Sequence, residues 1–176
     1  MLPYVKDMKV SIIVSITADG FIAQSVGQSS LKWTSKEDTK FFVEYTKKVG
    51  VLIMGSATFE TINRPLPDRK IIVLTRSKKY DQFDSDQVVA EGREIKEVLQ
   101  ELEASGQKEV AITGGTSVYT QFMKEKLVDE LYLTIEPIVF GSGLKLFNES
   151  LYQKLELVEI IDLSEQTKVL HYKIIQ

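Results

Sequence analysis

Strand-like apolar runs alternate with segments of helical spacing along the chain, and short joints rich in glycine, proline and aspartate separate them. The clearest helix begins after Ser35 and ends at Gly50, between the strand-like runs VSIIVSI and VLIM. The stretch LELVEIIDLSEQTKVLHYKII predicts a closing hairpin that turns at residues 164–166. This alternation is typical of a single α/β domain, to which we assign residues 1–176.

The composition restricts the partners of this domain. A chain of 176 residues with 43% hydrophobic residues can bury a full core. It has no cysteine, which excludes disulfides and thiolate metal sites, and its one histidine, His171, leaves no imidazole cluster for zinc. His171 lies inside the hairpin pattern, where we interpret it as structural. The net charge of −3 gives no electrostatic footprint for nucleic acid, so we predict a small-molecule partner and no metal.

Two features of the sequence bear on location. The longest apolar runs have the length of strands and do not approach a membrane span. The first eight residues, MLPYVKDM, lack the basic start and long apolar middle of a signal peptide. We therefore predict an intracellular, cytoplasmic protein.

A pair of glycines, Gly114 and Gly115, follows the strand-like run EVAIT and precedes a helical pattern. Glycine lets the backbone approach a pyrophosphate closely, and the amides at the start of the following helix point toward that negative charge. The pair therefore indicates a diphosphate-binding turn. The alternative is a turn that needs glycine only for a positive φ.

Two further strand ends carry small, hydroxyl or basic residues: Gly55, Ser56, Thr58, Thr75, Arg76 and Ser77. The first three lie at a helix start, where free amides and hydroxyls can meet phosphate oxygens. The guanidinium and the serine hydroxyl of the second group can bind a ribose phosphate. Three such strand ends in one sheet predict a dinucleotide with an extra phosphate, NADP rather than NAD. The alternative is that the Arg-Ser-Lys-Lys run is a solvated turn.

Asp38 shares a helix face with Phe42 and Tyr45, which lie four and seven residues further on. Apolar surroundings should raise the pKa of this carboxyl, whereas the nearby helix N-terminus should lower it. An acid directed at the core is the candidate for contact with a substrate. The alternative is a capping box, because Ser35 and Asp38 have its spacing and the acid would then only bond back to the cap.

Five motifs, taken in order, resemble the dihydrofolate reductase superfamily: the spacing of Trp33, Asp38 and Phe42, then MGSATFE, RPLPDRKIIVLTR, ITGGTSVYTQF and ELYLT. The resemblance covers nearly the whole chain and is in particular to the C-terminal reductase domain of the bifunctional riboflavin-biosynthesis deaminase/reductase. It implies an α/β three-layer fold with a mixed, mostly parallel central sheet, flanking helices and a C-terminal antiparallel hairpin. Residues 19–33 would form a lid over the nicotinamide, and we refer to them as the lid stretch.

The resemblance also implies a role for each motif residue. NADPH would be bound by Gly55, Ser56, Thr58, Thr75, Arg76, Ser77, Gly114, Gly115, Thr116, Val118 and Tyr119. Asp38 and Thr134 would be the catalytic pair, in which Asp38 binds the amino-pyrimidine edge of the heterocycle and Thr134 is its hydrogen-bonding partner. Phe42 would stack on the substrate ring, and Arg69 matches the arginine that holds the glutamate tail of folate.

The segment EPIVFGSGLKLF resembles the riboflavin-type reductases more than the folate reductases. Glu136 in this segment would contact a ribosylated pyrimidine, unless it marks with Pro137 the end of an edge strand. The implied reaction is hydride transfer from NADPH to a pyrimidine or pterin, as in 5-amino-6-(5-phosphoribosylamino)uracil reductase. A folate or pterin reductase, an NADPH-binding sensor without turnover and a purely structural domain are the alternatives. A homodimer formed through ELYLTIEPIVF or the hairpin is also expected.

Overall fold

The computed structural model describes residues 6–175, so most of the segment 1–8 used to predict location lies outside the described residues. The helices are α1 (Lys36–Val49), α2 (Ser56–Ile62), α3 (Ile95–Ala104) and α4 (Thr116–Lys124), and Ser30–Lys32 form a short 3-10 turn. The strands are β1 (Lys9–Thr17), β2 (Phe21–Ala23), β3 (Val51–Gly55), β4 (Lys70–Leu74), β5 (Val88–Glu91), β6 (Glu109–Ile112), β7 (Glu130–Glu136), β8 (Leu144–Lys145), β9 (Leu155–Asp162) and β10 (Lys168–Ile174). None of the helices in this described part is both long and apolar enough to cross a membrane.

Eight strands form one sheet in the order β5-β4-β3-β6-β1-β7-β10-β9. The strands from β5 to β7 in this order are parallel, whereas β10 is antiparallel to both β7 and β9. The predicted mixed, mostly parallel sheet with a closing hairpin is confirmed. The antiparallel pair of β2 and β8 was not predicted, because strands of three and two residues are too short to show a period.

Helices cover both faces of the sheet, which gives the three layers. On one face α3 and α4 pack a core that includes Leu99 and Phe122, and on the other α1 and α2 pack a core that includes Val49 and Phe59. Strand β1 alternates between these cores, with Ile12 in the first and Ile13 in the second. Burial on both faces explains why the parallel strands read as continuous apolar runs.

The ends of α1 follow its sequence signals. The Ser35 hydroxyl oxygen accepts a hydrogen bond from the Asp38 backbone N–H at 3.1 Å, as an N-cap does. Gly50 ends the helix in the left-handed conformation, with φ of 81°, which a residue without Cβ adopts at low cost. These features confirm the predicted helix. Its N-terminus lies at the carboxyl ends of the parallel strands, which is where such sheets usually bind ligands.

Candidate active site

Asp38 is buried at the carboxyl ends of β1 and β7. Its side chain is part of a residue only 6% exposed, and Oδ2 accepts a hydrogen bond from the Ser15 hydroxyl at 2.7 Å. The Thr134 hydroxyl also bonds to this carboxylate. Ser15 and Thr134 are register partners on adjacent strands, so the sheet presents two hydroxyls side by side to the acid. The structure thus brings together the two residues that were predicted as a catalytic pair.

Sequence reasoning missed Ser15. A hydroxyl within the run VSIIVSI was its one local signal, and such a residue is ordinary in a buried strand. The pairing register of β1 with β7 is what gives Ser15 its place beside Asp38.

The capping box predicted as an alternative for Asp38 is half formed. Ser35 supplies its side of the box, but its own backbone N–H donates to Glu136 Oε1 at 2.9 Å and not to Asp38. The Asp38 carboxylate therefore does not serve as the return cap. It bonds to the hydroxyls of the strands instead.

The surroundings of Asp38 favour its protonated form. Burial raises the pKa of Asp38 above its ordinary value of 3.8, the hydroxyls of Ser15 and Thr134 act in the opposite direction, and the charge of Glu136 adds to the rise. Among residues 6–175, Asp38 has no basic partner within salt-bridge distance, and no group of three or more acidic or histidine side chains could hold a metal ion. A buried acid with a raised pKa and no counter-ion is typical of a functional site.

The predicted glycine corners meet at the ends of β3 and β6. The Gly55 N–H donates to the Gly114 carbonyl at 2.8 Å, and the peptide bond between Gly114 and Gly115 is cis. A Cβ on Gly114 or Gly115 would lie 3.0–3.1 Å from the side chain of Thr58, and one on Gly55 would lie 3.2 Å from Val118. A side chain at any of these three positions would therefore have to displace Thr58 or Val118 by a few tenths of an ångström.

Positive φ explains one of these glycines. Gly114 has φ of 135°, whereas Gly55 and Gly115 have φ of −77° and −92°. Gly115 is the N-cap of α4 and provides no side-chain cap, so the first amides of this helix lie behind bare backbone. Such a cradle fits the pyrophosphate of a dinucleotide.

The remaining residues of the glycine motif build the walls of the cradle. The Thr116 hydroxyl donates to the Lys145 carbonyl at 2.7 Å and so ties α4 to β8. Val118 and Tyr119 are 9% and 2% exposed and belong to the core on this face, with the Tyr119 hydroxyl 3.4 Å from the Ile13 carbonyl. Ser56 is half-buried at the start of α2.

The predicted phosphate clamp lies after β4. The Thr75 hydroxyl oxygen accepts the backbone N–H of Ser77 and of Lys78, at 3.4 and 3.1 Å, which orders the turn. Lys78 forms an ion pair with Glu60. Arg76 and Ser77 are exposed, and Arg76 has no acidic partner within salt-bridge distance in the described part of the chain. The Arg-Ser-Lys-Lys run is thus an ordered turn that leaves one guanidinium available.

The two predicted substrate residues besides Glu136 lie along α1 on the side of Asp38. Phe42 is half-buried and packs against the core on this face of the sheet. Arg69 is 8% exposed, and its guanidinium donates to the Thr46 hydroxyl and to the Pro67 carbonyl, each at 3.0 Å. Thr46 follows Asp38 by two turns of α1, about 12 Å along the helix axis. The structure thus places Asp38 and Arg69 at the two ends of one helical face.

Glu136 is hydrogen-bonded within the protein itself. It is 2% exposed, and its two oxygens accept hydrogen bonds from Ser35 and Thr167. This arrangement gives no support to a direct contact with substrate. The reading of Glu136 as the end of an edge strand is wrong, because β7 lies between β1 and β10.

The lid stretch is tied to the loop that follows β7. Asp19 accepts hydrogen bonds from the Thr17 hydroxyl at 2.6 Å and from the N–H groups of Phe140 and Gly141 at 3.1 and 2.7 Å. A Cβ on Gly143 would lie 2.2 Å from the Ala23 carbonyl oxygen, so the two backbones touch. The sequence marked Asp19 only as part of a turn, since Phe140 and Gly141 are more than 100 residues away from it.

Two buried donors near the site have no partner among the described residues. They are Thr113 Oγ1, directly before the glycine pair, and Trp33 Nε1, shortly before α1. The Trp33 ring packs edge-on against Phe140, with the ring centroids 5.2 Å apart. Unpaired buried polar groups are rare in native proteins, so these two are sites where a ligand or water could bind.

Comparison with known proteins is consistent with this geometry. A family model described as dihydrofolate reductase matches residues 9–168. The dihydrofolate reductase of Buchnera aphidicola subsp. Baizongia pistaciae is 33% identical over 135 residues, which cover 76% of this chain and 75% of the relative. A putative riboflavin biosynthesis protein from Shewanella sp. PV-4 has a TM-score of 0.82 at 22% identity, with 96% of this chain and 100% of that chain covered.

A dihydrofolate reductase from Enterococcus faecalis, solved in complex with NADP(H) and RAB-propyl, has a TM-score of 0.70 at 26% identity, with 96% and 97% of the two chains covered. Its fold and that of the Shewanella protein agree with the three layers described above. The extent of the family match confirms the resemblance inferred from the motifs. This chain therefore belongs to the dihydrofolate reductase family of oxidoreductases.

Proposed function

We propose that this protein transfers a hydride from NADPH to a pyrimidine- or pterin-type heterocycle, with 5-amino-6-(5-phosphoribosylamino)uracil or a closely related ribosylamino-pyrimidine as the preferred substrate. One observation carries the proposal. At the carboxyl ends of neighbouring strands, a glycine-rich stretch of bare backbone adjoins a buried acid that hydroxyls hold and that no cation among residues 6–175 neutralises. This arrangement offers a binding surface for a diphosphate and a separate contact for a nitrogen heterocycle.

The residues of the cradle fit NADPH. The backbone at Gly114 and Gly115 and the first amides of α4 would bind the pyrophosphate, and Ser56 and Thr58 would add hydroxyl contacts. The free guanidinium of Arg76, with Ser77, would bind the extra phosphate on the adenosine ribose. When bound, NADPH supplies the hydride.

Asp38 would bind the N–H donors of the substrate ring. Ser15 and Thr134 hold its carboxylate in one orientation, so the ring would be received by a fixed acceptor, and Phe42 would pack against the ring. By accepting these N–H groups, Asp38 would raise the basicity of the ring atom that receives a proton, and the proton itself would arrive through water. The chain thus orients the substrate and poises its protonation.

Reduction of folate or another pterin is the second candidate, and Arg69 favours it. Its guanidinium is fixed at the opposite end of the α1 face from Asp38, where it would meet the carboxylate tail of an extended substrate. The riboflavin-type similarity of the segment after β7 and of the Shewanella structure favours the ribosylamino-pyrimidine. The two candidates share the cofactor site and Asp38.

NADPH oxidation measured against dihydrofolate, other pterins and the ribosylamino-pyrimidine tests the proposal. We expect turnover of the ribosylamino-pyrimidine and its loss in a variant that lacks the Asp38 carboxylate. Turnover of dihydrofolate alone would select the second candidate. If NADPH raised the melting temperature but no substrate were reduced, the sensor alternative would hold, and no rise with NADPH would favour a structural domain.

We also propose a cytoplasmic homodimer. Of the two segments expected at the interface, β7 is an interior strand and the hairpin reaches the sheet edge. The edge strand β9 exposes Leu157, Val158 and Ile160 by about half of their surface (49%, 53% and 56%), and an uncovered apolar edge strand invites pairing.

Sedimentation of Ile160→Lys tests the homodimer. A lysine on β9 would be buried in the dimer interface and would oppose pairing. We expect a dimer for the wild-type protein and a monomer for the variant. Gln100→Lys adds the same charge on the exposed face of α3 and should remain dimeric. A monomeric wild-type protein would contradict this part of the proposal.

A further inference from the structure

Glu136 is a buried carboxylate with no counter-ion among the residues that the structure describes. As the last residue of β7 it is 2% exposed, and in the described part of the chain no basic group lies within salt-bridge distance of it. Its Oε1 accepts hydrogen bonds from the backbone N–H and the hydroxyl of Ser35, at 2.9 and 2.8 Å, and its Oε2 accepts one from the Thr167 hydroxyl at 3.3 Å. Burying an unpaired charge is unfavourable, so this position requires a compensating role.

The bonds of Glu136 replace part of a helix cap. Ser35 is the N-cap of α1 and Asp38 is the third residue of the helix, where the acid of a capping box bonds back to the N-cap N–H. Here that N–H is taken by Glu136, which lies 101 residues further along the chain. The Asp38 carboxylate is therefore not needed for the cap and bonds to Ser15 and Thr134 instead.

Strand β7 contacts the start of α1 at two points. Thr134 and Glu136 are two residues apart and lie on the same face of the strand. Thr134 bonds to the carboxylate of Asp38, and Glu136 bonds to the cap that precedes it. The position of the Asp38 carboxylate relative to the sheet is therefore set through both ends of the first helical turn.

We propose that Glu136 is a positioning residue that completes the α1 cap in place of Asp38, and so holds the Asp38 carboxylate free and protonatable at the substrate site. The substrate role of Asp38 in this statement rests on the proposed function. The capping and electrostatic parts do not depend on any substrate.

The charged groups around Asp38 make this role measurable. Of the strands packed against it, β1 contributes the neutral Ser15, and β7 contributes the neutral Thr134 and the ionisable Glu136. The neighbours on α1 itself, Lys36 and Glu37, are exposed. After burial, the charge of Glu136 is the second influence that raises the pKa of Asp38.

The test follows the carboxyl carbon of Asp38 by NMR as a function of pH, without cofactor or substrate. Glu136→Gln keeps an acceptor for Ser35 and removes the charge, so we expect the Asp38 titration midpoint to move to lower pH with little change in melting temperature. Glu97→Gln removes one charge from the exposed surface of α3 and should leave the midpoint unchanged. An unchanged midpoint in Glu136→Gln would overturn the proposal.

Kinetics provide the second measurement. The limb of the kcat/KM profile that Asp38 governs should move to lower pH in Glu136→Gln. Glu136→Ala also leaves the Ser35 N–H unpaired and should lower kcat by roughly 10- to 100-fold, because small displacements of a catalytic group have effects of this size. A shifted Asp38 midpoint in a protein that reduces no heterocycle would support the role of Glu136 and contradict the proposed function.

Discussion

The two ends of the β1–β7 strand pair carry polar clusters on the same face of the sheet. The clusters differ in whether a basic side chain or neutral donors bind their carboxylates. At the amino end, Lys9 Nζ lies 3.2 Å from Glu109 and 3.3 Å from Glu130, and His171 Nε2 lies 3.1 Å from the same Glu130 carboxylate. At the carboxyl end, Asp38 and Glu136 are bound by hydroxyl and amide groups. Ile13 and the ring of Tyr132 separate the two clusters, and the Tyr132 hydroxyl donates to Glu130 at the amino end.

The difference shows in the pKa values. Burial alone would raise the pKa of Glu130, but Lys9, Tyr132 and His171 together hold it below its ordinary value of 4.5. Burial raises the pKa of Asp38, and no cation in the described part of the chain reverses the effect. The His171 ring also stacks on Tyr132, with centroids 4.1 Å apart, in line with its structural interpretation. An acid that a cation neutralises completes the fold, whereas one held by neutral donors remains available for chemistry.

Removing the charge at the carboxyl end should give the largest effect. Asp38→Asn keeps the size of the side chain and an acceptor for Ser15 but removes the negative charge that would support protonation of the substrate ring, so we expect kcat to fall by about 10²- to 10⁴-fold. Steady-state NADPH oxidation measures this loss. NADPH affinity, followed by fluorescence titration, should remain within a few-fold of the wild-type value.

The same variant separates a substrate role from a structural one. Because the folded-state pKa of Asp38 is raised, the stabilisation due to this group is present below its ordinary value of 3.8 and is lost as the pH rises through the folded value. Asp38→Asn should therefore be at least as stable as the wild-type protein at neutral pH, as judged by thermal unfolding. Unfolding of the variant would instead indicate that the acid serves the helix.

Arg76 extends the comparison to the end of β4, where its guanidinium has no acidic partner within salt-bridge distance among residues 6–175. Arg76→Ala should weaken NADPH binding by roughly 10- to 100-fold, the range expected for loss of a charge-assisted hydrogen bond. NADH, which lacks the extra phosphate, should be affected far less. Arg93→Ala is a matched control, because Arg93 is engaged by Glu91 and Glu101. Equal weakening of both dinucleotides by Arg76→Ala would remove the assignment of the clamp.

The smallest effect is expected at the amino end. Glu130→Gln removes the charge shared by Lys9 and His171 and should lower the free energy of unfolding at neutral pH by about 1–2 kcal/mol, with kcat unchanged. Because the folded-state pKa of Glu130 is lowered, its stabilisation is present above 4.5 and is lost as the pH falls through the folded value.

Chemical denaturation at pH 7 and at acid pH measures the free energy of unfolding of both proteins. The difference in this free energy between Glu130→Gln and wild type should become smaller at acid pH. If Glu130→Gln lost kcat but kept its stability, the amino end of the β1–β7 pair would also serve catalysis, and the distinction between the two ends would be wrong.

The sequence predicted the elements that have a strong local period and clear ends. Helix α1 has an N-cap serine, an apolar face and a left-handed glycine at its end, and each of these signals lies within one or two turns of the residue it affects. The parallel strands were recognised because burial on both faces makes them continuously apolar. Strands β2 and β8 are formed by their pairing with each other, and no local sequence pattern predicts a pairing between segments so far apart.

The site was predictable where its residues lie in motifs and unpredictable where its contacts span the chain. Local spacing suggested that Asp38 bonds back to Ser35, and the structure gives that donor to Glu136. A carboxylate 101 residues away competes for the same N–H, and sequence spacing carries no information about such a competitor. The same reason explains why Ser15 was missed beside Asp38 and why Asp19 was read only as a turn residue.

The contact between Gly143 and the Ala23 carbonyl has a consequence for how the lid stretch can vary. With φ of 147° and the Ala23 oxygen 2.2 Å from the position of any Cβ, residue 143 excludes every side chain. The loop that leaves β7 is therefore anchored backbone to backbone on β2, close to where β1 ends. Beyond this anchor, substitutions and insertions among residues 24–33 can reshape the predicted lid while the strand ends that hold Ser15 and Thr134 stay in register, so this stretch can diverge without loss of the geometry around Asp38.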